Sequence, residues 1–308
     1  MGGFLVNVWV SILFDCLFCF PDPIFSERPL MSLLMGLIAA VSWGIHDLCV
    51  RYVSQSTGIF ASIIAVLAFG CILVAPISVL RWGEPIATDA MLLSLLSGAL
   101  FGLAAIAHYK AFSIGPVRLV APIVGSYPIL SVGWAAMTGT PVSVMQWMAV
   151  GVVISGVGYV AASGDQEAEV ADPKPAILWS IAAATGFAST FYVGQAAVAG
   201  GDELALLAPT RFAALIIVLV IAIVFKVNWR AKNGFLLLAL MGVLDTIALG
   251  SVISAGGMKS PEFASVAASI FGLITVLLAA IFLGERMTKR QFSIVAGVFV
   301  AIGYLSLG

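Results

Sequence analysis

The sequence predicts an all-α polytopic membrane protein, with ten transmembrane helices arranged as a 5+5 inverted repeat. Three observations carry this expectation: composition, the length of the apolar runs, and structural punctuation that recurs at one register. Hydrophobic residues make up 62% of the 308 and charged residues only 9%, against roughly 25% charged in an ordinary soluble protein. A chain of this length has no soluble core large enough to hide so much apolar surface. The apolar runs are about 20 residues long, enough to cross ~30 Å of hydrocarbon. Their continuity excludes the alternating pattern of an outer-membrane barrel, which leaves helices as the way to satisfy the backbone in lipid.

The punctuation is clearest at Leu283-Gly284-Glu285-Arg286-Met287-Thr288. An apolar run stops at Gly284, a residue that takes the left-handed conformation of a helix stop without a Cβ penalty. Thr288 with Gln291 then reads as a capping box, the hydroxyl and the amide each covering a free N–H of the next helix. About 145 residues earlier the device recurs, with Gly139, Ser143 and Gln146 in the corresponding places. At the same offset Pro116 meets Pro261, and Gly158-Tyr159 meets Gly303-Tyr304. Matches that coincide with structural marks at a single register indicate an internal repeat.

In chain order, residues 1–30 form an N-terminal extension. Its apolar part carries Asn7 and Asp15 and ends at Pro21-Asp22-Pro23. It lacks the leading cations and small-residue cleavage site of a secretory signal. Two readings stay open: an extra membrane segment, or a start placed too early, with Met31 the true beginning. The spans expected after it are 32–51, 60–80, 90–109, 116–137, 142–162, 176–198, 204–225, 234–254, 262–283 and 289–307. The hydrophilic linker 163–175 holds Asp165, Glu167, Glu169 and Asp172 and divides a first repeat, 31–162, from a second, 176–308. An odd number of spans per repeat makes the second enter from the opposite side, and such pairs place a site near the midplane between the halves. Small residues at four-residue spacing, Gly98 and Gly102, Gly151 and Ser155, and Gly186, Thr190 and Gly194, suit close helix packing.

Lys and Arg concentrate in the loops after odd-numbered spans, as at Arg51, Lys110, Lys226, Arg230 and Arg286. The positive-inside rule places those loops in the cytoplasm. Cys16 and Cys19 form a lone C-x-x-C with no second pair or nearby histidine, so neither metal nor cofactor is expected. Nothing in the charge pattern suggests nucleic acid. Lipid and a small-molecule substrate are the expected partners, with protons and a homodimer left open.

Several stretches together resemble the EamA family of the drug/metabolite transporter superfamily. They are Ala39-Ala40-Val41-Ser42-Trp43-Gly44, then Gly115-Pro116 through Val120-Ala121-Pro122-Ile123 to Tyr127-Pro128, and finally Leu283-Gly284-Glu285-Arg286 with Gln291, Gly297 and Gly303. The resemblance covers residues 32–308. Two departures stand out: Thr140 occupies the place where the family usually has Glu, and the family is commonly drawn with both termini cytoplasmic. The resemblance implies secondary transport of a small metabolite, often outward, such as an amino acid or a related compound; a facilitator or lipid-carrier flippase of the same fold, or a non-transporting scaffold or receptor, stays open. The cell (inner) membrane is the expected location.

An ionisable group in the hydrocarbon core costs roughly 2.5–3.5 kcal/mol on insertion scales, so it is a functional candidate by default. Asp245 lies near the centre of its span; Arg211, two residues after Pro209, either snorkels to the surface or points inward, where it is the natural partner for an anionic substrate or for Asp245. Asp47 precedes Arg51 by four residues, the spacing of a helical ion pair. With Trp43 and His46 it makes a polar end to the first span. Polar and aromatic stripes at helical spacing nominate inward faces: Ser94, Ser97, Phe101, Ala104 and His108; Tyr127, Ser131 and Trp134; and Thr185, Ser189 and Tyr192, with Gln195 close by. The predicted substrate-binding set is therefore Trp43, Asp47, His108, Tyr127, Ser131, Tyr192, Gln195, Arg211 and Asp245, with Asp245 or His108 binding a coupled proton. No catalytic residues are predicted. No phosphate loop of an ATP-driven pump and no His-Glu-x-x-His or Gly-x-Gly-Asp motif of an intramembrane enzyme occurs in the chain.

Overall fold

The computed structural model describes residues 29–80, 86–130, 142–162, 172–199, 203–231, 233–258, 262–284 and 287–307. The described residues are helical with connecting turns. The helices are α1 (Pro29–Ser56), α2 (Ile59–Leu80), α3 (Thr88–Ile114), α4 (Val117–Gly125), α5 (Val144–Ala162), α6 (Lys174–Ala199), α7 (Glu203–Val224), α8 (Phe235–Ser254), α9 (Glu262–Ser269), α10 (Phe271–Phe282) and α11 (Lys289–Leu307). A single 3-10 turn, Ala255–Gly257, follows α8. Large apolar side chains such as Ile72, Leu92, Ile154, Leu178, Leu236 and Val300 stand exposed on the outside, as a surface facing lipid tails requires.

The expected count of ten spanning helices is wrong. Among the described residues, six helices are long and apolar enough to cross a membrane: Met31–Ser54, Ile59–Pro76, Thr88–Ile114, Lys174–Val198, Ala205–Val224 and Phe235–Gly257. The physical reason is interruption. The stretch expected to span 116–137 ends its helix at Gly125, and the chain turns through hydrogen bonds from Ser126 N to Ile123 O and from Ile129 N to Ser126 O. Pro122 and Pro128 flank the turn, each lacking the N–H that would extend a helix. The stretch expected to span 262–283 breaks at Ile270 into α9 and α10. The apolar parts Val117–Leu130, Val144–Gly156 and Ala267–Phe282 are too short to cross alone. α11 opens on Lys289-Arg290 and carries Gln291 and Ser293. The 5+5 inverted arrangement rested on the count and falls with it. The expectations for residues 1–28, for most of the 163–175 linker and for the Gly139 turn lie outside the described residues.

The local punctuation is present. Gly284 has φ +65°. Gln291 N donates to Thr288 Oγ1 at 3.2 Å while Gln291 Oε1 accepts from Thr288 N at 2.9 Å. Ser143 and Gln146 make the same reciprocal pair at 3.2 and 2.7 Å. Helix starts repeat as well: α1 to α5 begin at 29, 59, 88, 117 and 144, and α6, α7, α8, α9 and α11 begin at 174, 203, 235, 262 and 289.

Packing runs between these two sets more than within them. α3 lies against α6 and α7, α1 against α8, α9 and α10, α2 against α7 and α8, α4 against α6 and α10, and α5 against α11. Small residues make the closest approaches. A Cβ on Gly98 would lie 2.1 Å from the Thr210 carbonyl oxygen, and one on Gly186 would lie 2.7 Å from Ala104 Cβ. Gly151, nominated for the same role, is exposed and has nothing within 4 Å of such a Cβ. The core therefore sits where α1 and α3 meet α6, α8 and α10, and a cavity opens there.

Candidate functional site

The cavity is narrow, with a volume of about 30 Å³ open to water-sized molecules. Its walls are mostly aromatic and aliphatic: Phe101 from α3, Phe187 and Phe191 from α6, Phe271 from α10, and Ile63, Val66 and Leu67 from α2. Trp43 and Phe191 stack with centroids 5.5 Å apart, and Tyr127 meets Phe191 edge-on at 5.3 Å. Both helix breaks contribute. Tyr127 lies in the turn after α4, and Phe271 follows the break between α9 and α10. Interrupted helices at such a place are tolerated because protein rather than lipid surrounds the freed backbone groups. The Tyr127 hydroxyl donates to the carbonyl of Ser265 in α9.

Two buried carboxylates line the cavity, and their surroundings differ. Asp245 Oδ2 accepts from Arg211 Nη1 at 2.5 Å, the second guanidinium arm donates to the main-chain carbonyl of Asp245, and Oδ1 accepts from Trp43 Nε1 at 3.1 Å. Arg211 is fully buried and also lies over the Phe101 ring, 5.2 Å from its centroid. It does not line the cavity; it stands behind Asp245 and neutralises it. Asp47 has no cation of this kind bonded to its carboxylate among the described residues. Its Oδ1 contacts His46 Nδ1 at 3.1 Å and His108 Nε2 at 3.0 Å, and Tyr109 OH lies 3.3 Å from His46 Nε2. Asp47 Oδ2 and His108 Nδ1 have no hydrogen-bond partner among the described residues. Arg51, the partner expected for Asp47, donates from Nη1 to the carbonyl of Phe112 at 2.6 Å. The chemistry this offers is a small, largely apolar chamber lined, among the described residues, by two carboxylates, one neutralised by an arginine and one held by two imidazoles. Among the described residues, no cluster of His, Cys, Asp and Glu could hold a metal ion.

Of the predicted site residues, Trp43, Asp47, His108, Tyr127 and Asp245 come together on the cavity wall. Arg211 is one layer out. Gln195 donates to the carbonyl of Val252 at 3.1 Å and tethers α6 to α8 instead of lining the cavity. Tyr192 is misassigned: it is 75% exposed and faces away from the chamber. The whole Thr185, Ser189 and Tyr192 stripe points outward, because the hydroxyls of Thr185 and Ser189 are satisfied by carbonyls four residues back, both at 2.9 Å. A serine or threonine bonded to its own helix has no need of an interior. Ser131 and Trp134 lie outside the described residues.

Sequence reasoning missed Tyr109, Phe187, Phe191 and Phe271, and passed over His46 as a site residue. Phe187 and Phe191 are four apart on α6, on the face away from the hydroxyl stripe. That spacing was the available signal.

The model of the EamA-like transporter family matches the chain twice, at residues 30–162 and 174–307. No curated protein matches it in sequence. Among solved structures, a crystal structure described only as that of a protein is similar to it, with a TM-score of 0.64 at 14% sequence identity, covering 89% of this chain and 95% of that one. That likeness shows the fold alone.

Proposed function

The chain belongs to the EamA-like transporter family, and we propose that it moves a small amine-bearing metabolite, such as an amino acid or a related compound, outward through the cavity between α1, α3, α6, α8 and α10. Membership makes it a multi-pass membrane transporter and not an enzyme. The cell (inner) membrane, export, alternating access and coupling to protons belong to the proposal.

The observation that carries the reading is the asymmetry of charge in the cavity. Asp245 is neutralised by Arg211, while Asp47, on the wall of a chamber lined by aromatic rings, keeps a buried oxygen with no protein partner among the described residues. An ammonium group finds a carboxylate there, and an apolar body finds Phe101, Phe187, Phe191 and Phe271. Pockets of this kind, mostly apolar with a few placed polar groups, bind small organic solutes. The chamber is lined mostly by buried residues, so passage requires the surrounding helices to part on one face and then the other.

The test is flux of a labelled metabolite mixture from proteoliposomes, with and without an imposed pH gradient. The reading expects at least one amine-bearing metabolite to move faster with the gradient, and Asp47→Asn, checked for folding by gel filtration, to lose that acceleration. Absence of flux for every metabolite, or wild-type flux in the variant, sinks it.

A further inference from the structure

We propose that His46 is the residue that takes up the coupling proton, through Nε2, and that Asp47, Tyr109 and His108 are arranged to make it so. The proposal rests on the transport reading and names the ion site within it.

The assignment follows from which nitrogen can carry an extra hydrogen. An ionised carboxylate only accepts hydrogen bonds. Asp47 Oδ1 lies 3.1 Å from His46 Nδ1 and 3.0 Å from His108 Nε2, so each of these nitrogens carries a hydrogen and donates it. The tautomers are thereby fixed and opposite: His46 has its free lone pair on Nε2, and His108 has its free lone pair on Nδ1. A proton arriving in the chamber must choose between them.

The two lone pairs have different surroundings. His46 Nε2 faces the hydroxyl of Tyr109 at 3.3 Å. A tyrosine hydroxyl both donates and accepts, so on protonation it turns its own hydrogen into the cavity and accepts from the imidazolium. Every N–H of the charged His46 ring then keeps a partner, and the donor that loses its acceptor is a neutral O–H on the cavity wall. His108 Nδ1 has no partner among the described residues, and its ring is enclosed edge-to-face by Phe112 at 4.8 Å, Phe187 at 5.4 Å and Tyr109 at 6.2 Å. A second N–H there is a buried donor with nothing to bind, the costly case for a polar group. His108 is thus a fixed donor that orients Asp47.

The other ionisable groups around His46 do not compete. Asp47, the next residue on α1, is the counter-ion. From α8, Asp245 is held by Arg211 of α7. Arg51, a little more than one turn on along α1, reaches the Phe112 carbonyl. α2, α6 and α10 present only apolar side chains to the cavity, and α4 is followed by Tyr127, bonded to Ser265. Protonation of His46 converts the His46–Asp47 pair from net negative to neutral. The chamber then loses its attraction for a cationic solute, so the proton and the solute's ammonium exclude one another.

The chain contains only two histidines, which makes a direct test simple. Protein labelled with 15N in the imidazole rings, in lipid nanodiscs without substrate, gives two pairs of ring signals, assigned with His46→Gln and His108→Gln. Between pH 5 and 9 the proposal expects His46 to pass from the Nδ1–H tautomer to the doubly protonated ring, while His108 stays an Nε2–H tautomer. If His108 titrates in this range and His46 does not, or if the tautomers are reversed, the proposal is overturned whether or not flux is found. If His46 titrates as described while no metabolite moves in proteoliposomes, the proton site stands and the transport reading is what fails.

Discussion

Replacing Arg211 with methionine removes a cation of nearly the same length and leaves Asp245 charged inside the protein. The structure sets the size of the effect. Arg211 makes two charge-assisted contacts, to the carboxylate at 2.5 Å and to the Asp245 carbonyl, each contributing about 1.5–3 kcal/mol. Removing one member of a buried ion pair costs about 3–5 kcal/mol, because the other is left uncompensated. The neutral hydrogen-bonded pairs typical of membrane interiors couple by only about 0.6 kcal/mol. Arg211→Met alone should therefore destabilise by about 3–5 kcal/mol, and Asp245→Leu alone by a similar amount. The double variant loses both charges and should fall well short of their sum, since an apolar pair of similar volume is often no worse than a buried ion pair. The assay is reversible unfolding in mixed detergent micelles across the four-member cycle. A coupling energy at or below about 0.6 kcal/mol, the level of a neutral pair, would refute the reasoning.

Three further outcomes are expected. Gly98→Ala places a Cβ 2.1 Å from the Thr210 carbonyl and should cost about 1–3 kcal/mol through overpacking, while Gly151→Ala, with open space around it, should change stability by no more than about 0.5 kcal/mol or raise it; thermal melts separate the two. Thr288→Ala removes the hydroxyl that caps α11 and should cost about 1 kcal/mol, read as a lowered unfolding midpoint. Trp43→Phe keeps the ring stack on Phe191 but loses the indole N–H on Asp245, so metabolite flux should drop about tenfold, a loss of roughly 1.4 kcal/mol, while Tyr192→Ala, on the outer face, should leave flux within about twofold.

Features decided by neighbours in the chain were legible in the sequence. The two capping boxes and the left-handed Gly284 depend on residues three or four apart, and they stand as the spacing implied. The buried charges were legible too, because an aspartate or arginine in an apolar run must find a partner, and Asp245 found Arg211. What the sequence concealed depends on contacts across the bundle. Residues 262–283 read as one continuous apolar span, yet the chain breaks at Ile270 to bring Phe271 to the cavity; only the prolines at 122 and 128 hinted at the equivalent break after α4. The hydroxyl stripe on α6 misled for the opposite reason, since Thr185 and Ser189 satisfy themselves on their own helix and can face lipid. At Asp47 the local i, i+4 spacing to Arg51 drew attention from the partner that matters most across the fold, His108 on α3.

The central claim is that the buried chamber is the route across the membrane. In a variant whose four native cysteines are replaced by serine, Ala105→Cys puts a thiol on the chamber wall, where the native residue is 6% exposed. A membrane-impermeant maleimide applied to sealed vesicles of either orientation should label that thiol from both sides, and the transported metabolite should protect it. Resistance to the reagent from both sides, under conditions where the protein moves its metabolite, would contradict the claim.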